Sequence, residues 1–137
     1  MPLSAGSGPS EYAAAFDRVV LPVLESYAPE MILVSAGFDA HRDDPLANMM
    51  LDAEAYGDMT ARLAAIANKT AQGRLALFLE GGYDLAALET SLTACLRVLG
   101  SPDAALRARE HTAISAAGEL EIERARRALS PVWKGAL

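Results

Sequence analysis

Asp39, His41, Asp43 and Asp44 fall within six residues, concentrating three carboxylates and an imidazole in one short segment. All four are hard or borderline ligands for a divalent ion, and metal binding is the chemistry such a segment could support. Asp also caps helices and tolerates turns, so Asp43 and Asp44 before Pro45 read equally well as turn formers. A second segment, Gly81-Gly82-Tyr83, joins two residues without a Cβ to a phenol at the loop tip. There the backbone can approach a ligand closely. Without a ligand, the same three residues make a tight turn from strand to helix with a half-buried tyrosine.

Both segments follow apolar runs that can position them. Met31-Ile-Leu-Val-Ser35 is continuous and rich in branched residues, which suits a parallel strand buried on both faces, and it ends in Ala36-Gly37. Arg74 to Leu79 reads as a second such strand, finishing in Gly81-Gly82. In open parallel sheets ligands bind outside the carboxyl ends of the strands, so two such loops side by side would form one site. Helical periodicity fills the rest. After a Gly, Ser and Pro loop from Ser4, Ser10 opens a helix in which Tyr12, Phe16, Val19, Val20 and Leu24 share a face up to about Tyr27. Pro22 is predicted to bend or shorten it, since it lacks a backbone donor and clashes one turn back. Asp52 is placed to cap a helix to Asn68 with Ala53, Tyr56, Met59, Leu63 and Ile66 on one stripe, and Asp84 to cap another to about Leu99.

The order helix, strand, helix, strand, helix implies right-handed crossovers and a parallel sheet, which is the α/β class. Gly100-Ser-Pro102 breaks the last helix and divides residues 1–100 from a tail of residues 101–137. In that tail, Asp103 to Leu129 has a helical, Ala-rich pattern laced with Arg and Glu, expected to lie loosely along the surface with Trp133 pinning the end. Arg124, Arg126 and Arg127 read as a charged helix face, and His111 among Arg and Glu as solvated.

Composition narrows the function classes. At 137 residues and 52% hydrophobic, the chain can bury one core but not two. A formal charge of −6 argues against a direct, sequence-independent hold on nucleic acid, which needs clustered Lys and Arg. Cationic substrates remain compatible with it. One cysteine, Cys95, supports neither a disulfide framework nor a cysteine metal site; it reads as core filler, and a reducing, cytoplasmic setting is expected. No basic leader and no long apolar run stand at the start, so neither secretory signal nor membrane span is expected. No Gly-rich loop opens a helix with phosphate-cradling spacing, which argues against a nucleotide-binding domain.

The string Val34-Ser-Ala-Gly-Phe-Asp-Ala-His-Arg-Asp-Asp-Pro-Leu46, followed after one helix by Leu79-Glu-Gly-Gly-Tyr-Asp-Leu85, closely resembles the histone deacetylase and acetylpolyamine amidohydrolase superfamily, especially its bacterial branch. Pro2 to Gly8 with Glu11-Tyr12, and Ser130-Pro-Val-Trp-Lys134, resemble the segments that flank these motifs in the family. The resemblance implies a three-layer, parallel-sheet arginase/deacetylase fold and zinc-dependent hydrolysis of an acetylated amine, acetyl-lysine or acetylpolyamine. It assigns Asp39 as a zinc ligand and Tyr83 as the hydroxyl donor to the developing oxyanion. Gly81 and Gly82 match the glycines of the pocket wall, with Phe38 beside them. Zinc in such a site polarises the amide carbonyl and lowers the pKa of bound water.

Part of the family pattern has no counterpart in these residues. The Asp-x-His zinc motif and the His-His pair of general base and acid lie upstream of the matching segment in the family. His41 forms a literal Asp39-Ala40-His41, yet its position is variable and non-ligating there, and Asp43 replaces a common glycine. The chain therefore looks like the C-terminal portion of a longer deacetylase domain, inactive alone. Its expected partners are the acetylated substrate and either an upstream fragment or a second copy.

Overall fold

The computed structural model describes residues 1–101 and 113–137. The first helical stretch comprises α1 (Pro9–Ala15), a π-helical turn (Phe16–Val20) and α2 (Leu21–Tyr27). It starts one residue before Ser10 because Pro9, with its fixed φ and no N–H, suits the first turn of a helix. Pro22 does not end the stretch; it sits in the first turn of α2, just after the chain has widened into a π-helical turn. There the Leu21 N–H reaches back five residues to the Phe16 carbonyl, so the ladder shifts register before the residue that cannot donate. The stretch ends at Ala28, which adopts a left-handed φ of 51°.

Strands β1 (Ile32–Ala36) and β2 (Leu75–Leu79) pair in parallel, with Ile32 opposite Leu75 and Ala36 opposite Leu79. The crossover between them carries α3 (Ala53–Thr70), and α4 (Leu85–Leu99) follows β2. Both expected caps are made: the Asp52 carboxylate accepts the Ala55 N–H at 2.9 Å and Asp84 accepts the Ala87 N–H at 2.7 Å.

Alternate strand residues face the helices. Ile32, Val34 and Leu75 pack with Ile66, Ala67, Leu21 and Leu24, while Ala36 and Leu77 join Phe38, Leu51, Tyr56 and Cys95. The expectation that both strands are buried on both faces is corrected here. Leu33 and Phe78 point the other way and remain 62% and 56% exposed, because no described residue covers that side of the sheet.

The tail also differs from its expectation of loose packing. Helix α5 (Ala116–Leu129) drives Ile122, fully buried, into a cluster with Ala15 and Val19. Arg18 donates to Glu119 through both terminal nitrogens, at 2.8 and 2.6 Å, and to Glu123 at 2.6 Å. Glu11 ties the starts of the two helices together, accepting the N–H of Gly8 at 3.1 Å and of Ser115 at 3.0 Å. Burial alone would raise the Glu11 pKa, but these N–H donors outweigh it and hold the carboxyl below its usual range. Trp133 meets Tyr27 edge to face at 6.1 Å, as its pinning role requires. His111 and the part of the expected helix from Asp103 to Thr112 lie outside the described residues.

Because Ile122 fills a closed cluster, Ile122→Ala is expected to lower unfolding free energy by about 2–5 kcal/mol in a denaturant titration. Leu120 is exposed on the same helix, so Leu120→Ala is expected to change it by less than about 0.5 kcal/mol.

Candidate active site

Pairing does not stop where the strands do. The Glu80 N–H donates to the Ala36 carbonyl at 3.0 Å and the Phe38 N–H to the Gly81 carbonyl at 2.7 Å. These bonds hold the loop after β1 against the loop after β2, bringing Gly37, Phe38 and Asp39 beside Gly81, Gly82 and Tyr83.

The glycines make that approach possible. A Cβ on Gly81 would come within 3.1 Å of the Asp39 carboxylate carbon and Oδ2, so the carboxylate lies flush on bare backbone. Gly82 has a φ of 139°, a region open mainly to glycine, and a Cβ there would meet Leu88 and Phe38 at 3.2 Å. Phe38 itself turns inward: its ring packs on Tyr56 at 4.9 Å between centroids, and its carbonyl accepts the Tyr56 hydroxyl at 3.0 Å. Tyr83 is 61% exposed at the rim.

Asp39 borders two cavities. One, of about 340 Å³, runs below it between Tyr12, Val34, Tyr56, Met59 and Cys95. The other, of about 360 Å³, opens toward Leu3, Phe16 and Met49. Burial pushes the Tyr12 hydroxyl pKa up and the Asp39 charge adds to it. Tyr56 is raised in the same way, chiefly by burial and then by Tyr12, Asp39 and Asp44. Both phenols therefore stay neutral around the carboxylate. Cys95 is buried and accepts from the Thr60 hydroxyl at 3.2 Å, and burial raises its thiol pKa, in keeping with a core residue rather than a nucleophile.

The acidic segment divides by role. His41 is buried, with its Nδ1 accepting the Asp43 N–H at 3.2 Å, so its ring serves its own turn. Among the described residues no three His, Cys, Asp or Glu side chains converge to hold a metal. Asp39 offers one carboxylate, and the described donor set falls short of a zinc site. Asp44 is more than a turn former. Only 8% exposed, it accepts the Leu46 N–H on Oδ1 at 3.0 Å and, on Oδ2, the N–H groups of Tyr83 at 2.7 Å and Asp84 at 3.3 Å. Asp before Pro signals a turn, but nothing local to residues 43–46 signals a bond to residue 83.

Burial alone would raise the Asp44 pKa; the N–H donors of Tyr83, Leu46 and Asp84 outweigh it and hold the carboxyl below the usual carboxylate range. An unfolded Asp titrates near about 3.9. The contribution of Asp44 to stability is therefore fully present above that pH and is lost as pH falls through the lower folded value. Unfolding midpoints followed across acidic pH are expected to fall in that window, with Asp44→Asn removing this part of the dependence.

Comparison with known proteins identifies the family and the fold. Residues 1–99 match the histone deacetylase domain family. Over 108 residues the chain is 41% identical to histone deacetylase 10, chloroplastic, of Oryza sativa subsp. japonica, covering 78% of this chain and 24% of the relative. It is 45% identical over 83 residues to the histone deacetylase-like amidohydrolase of Pseudomonas aeruginosa, covering 61% and 22%. The crystal structure of the HDA15 HD domain superimposes with a TM-score of 0.83 at 31% identity, over 97% of this chain and 34% of that one. The histone deacetylase Clr3 superimposes at 0.82 and 33% identity, over 96% and 21%. The chain thus spans a quarter or less of the length of the curated relatives it matches. An α/β chain with two parallel strands, Asp39 and Tyr83 on their adjoining ends, and this likeness over most of its length belongs to the histone deacetylase family.

Proposed function

We propose that this chain is the C-terminal part of the catalytic domain of a zinc-dependent deacetylase, which hydrolyses an acetylated amine such as acetyl-lysine or an acetylpolyamine. The observation that carries the reading is the juxtaposition of Asp39, flush on Gly81, with Tyr83 on the adjoining loop. Asp39 would supply one oxygen ligand. Among the described residues no three ligand side chains converge beside it; the family pattern would draw the remaining ligands and the general base from a further part of the domain, without which residues 1–137 would be inactive. The Tyr83 hydroxyl would donate to the carbonyl oxygen as negative charge builds there, a contact that strengthens toward the transition state. Gly81 and Gly82 would form the wall against which the acyl group lies, while Phe38, expected from the sequence to share that wall, is 2% exposed with its ring packed inward on Tyr56 and would support the wall from beneath.

The net charge of −6 suits a substrate with cationic groups beside the neutral acetylated nitrogen, such as the free amines of an acetylpolyamine, better than nucleic acid. Among the described residues no helix is long and apolar enough to cross a membrane. The unpaired, buried Cys95 fits a reducing compartment, for which the cytoplasm is our assignment.

A second reading is favoured by one observation, the exposure of Leu33 and Phe78 on the bare sheet face. An apolar face beside strand edges that no described residue pairs favours association, so the chain would act as a binding module, or as half of a split enzyme that needs a partner. Size-exclusion chromatography tests the module reading, which expects a dimer or a stable complex: a clean monomer counts against it.

The catalytic reading is tested by joining the chain to the upstream portion of a deacetylase domain. Zinc content is expected to fall with Asp39→Ala. Tyr83→Phe is expected to lower kcat on an acetyl-lysine peptide by about 10²–10³-fold while zinc stays bound. Full activity in Tyr83→Phe, or unchanged zinc in Asp39→Ala, would sink the assignment.

A further inference from the structure

We infer that Asp44 is the positioning residue for Tyr83: its carboxylate clamps the loop after β2 to the loop after β1 and sets the backbone from which the phenol projects. This rests on the proposed role of Tyr83 and adds to it the residue that keeps that role available.

The need for a clamp follows from what surrounds Tyr83. Its side chain is mostly exposed, and none of the described hydrogen bonds engages its hydroxyl. Gly81 and Gly82 precede it, and two residues without a Cβ leave a loop with more conformations than any other pair. The restraint must then come through the backbone. The Tyr83 N–H at 2.7 Å and the Asp84 N–H at 3.3 Å converge on a single oxygen, Asp44 Oδ2. Bonds from N–H to an ionised carboxylate are stronger than neutral ones.

The clamp is itself anchored. Oδ1 accepts the Leu46 N–H across Pro45, whose ring fixes the local φ, and the Asp44 N–H donates to the His41 carbonyl at 3.0 Å. His41 is in turn bridged to Leu51, with the Leu51 N–H on the Ala40 carbonyl and the Arg42 N–H on the Leu51 carbonyl. Leu51 is fully buried in the core. The chain of contacts runs from the core through Leu51, His41 and Asp44 to the Tyr83 N–H, so the backbone that carries the phenol is tied to the loop of Asp39 as well as to its own. Asn at position 44 keeps the shape but replaces one acceptor oxygen with a donor nitrogen, and cannot serve both Leu46 and Tyr83.

Amide hydrogen exchange on the 137-residue chain tests the clamp, and kinetics on the chain joined to the upstream portion of a deacetylase domain test its consequence. In Asp44→Asn, exchange at Tyr83 and Asp84 is expected to speed up by roughly 10- to 100-fold, while amides of α3 keep their protection. In the joined enzyme the same substitution is expected to lower kcat by on the order of 10- to 100-fold with little change in KM. Added to Tyr83→Phe, it is expected to cost almost nothing further, because both act through one hydroxyl. Unchanged exchange at Tyr83, loss of protection throughout α3, or a kcat loss that multiplies independently with that of Tyr83→Phe would each overturn the inference. Full kcat in Tyr83→Phe with faster exchange in Asp44→Asn would instead overturn the oxyanion role of Tyr83 and support the clamp.

Discussion

The Phe38 N–H donates to the Gly81 carbonyl two residues past the last residue of each strand, and everything proposed for this chain depends on that continued pairing. Strands in a parallel pair separate at their ends unless something holds the loops together. Here the backbone ladder, the bare surface of Gly81 and the Asp44 carboxylate all do so. The result is that a carboxylate from one loop and a phenol from the other share one rim, a juxtaposition that neither loop can produce alone.

That rim stands on a core assembled on one side of the sheet. Ile32, Val34 and Leu75 anchor one end of the strands on α2 and α3, and Phe38, Leu51, Tyr56 and Cys95 fill the other end directly beneath the site. The Tyr56 hydroxyl on the Phe38 carbonyl couples core to loop. A buried donor and acceptor that satisfy each other fix a backbone position more firmly than apolar contact does, since separating them leaves both unpaired. On the opposite face Leu33 and Phe78 stay exposed, with no described residue over them, so the rim is supported from one side of the sheet.

Helix α5 is held by two kinds of interaction of unequal weight. The Arg18 pairs, two-pronged with Glu119 and single with Glu123, are short but partly exposed, and such pairs are screened by salt and cost side-chain entropy. Ile122 loses all its exposure between Ala15 and Val19, and burial of that kind carries the attachment. The ion pairs then set direction and register along the π-helical turn, which Arg18 occupies. Charge decoration along α5 disguised a helix with one decisive apolar contact.

Much of this was legible from residue order. Apolar runs ending in glycine marked both strands, Asp52 and Asp84 marked two helix starts, and the alternation of elements marked a parallel α/β sheet; the motif around Asp39 and Tyr83 pointed to the family. Each of those signals is written within a few residues, where period, capping and turn chemistry operate. Other features were decided only by the folded chain. The one-sided burial of the strands depends on which helices lie over them, the passage of Pro22 through a π-helical turn depends on the surrounding helix, and the role of Ile122 depends on a partner helix a hundred positions earlier. Asp44 is the sharpest case: in sequence it is one more acidic residue before a proline, whereas its decisive bond reaches a backbone N–H 39 residues away. Spacing along a chain carries no record of such a contact, because it exists only once β1 and β2 have paired and brought their ends together.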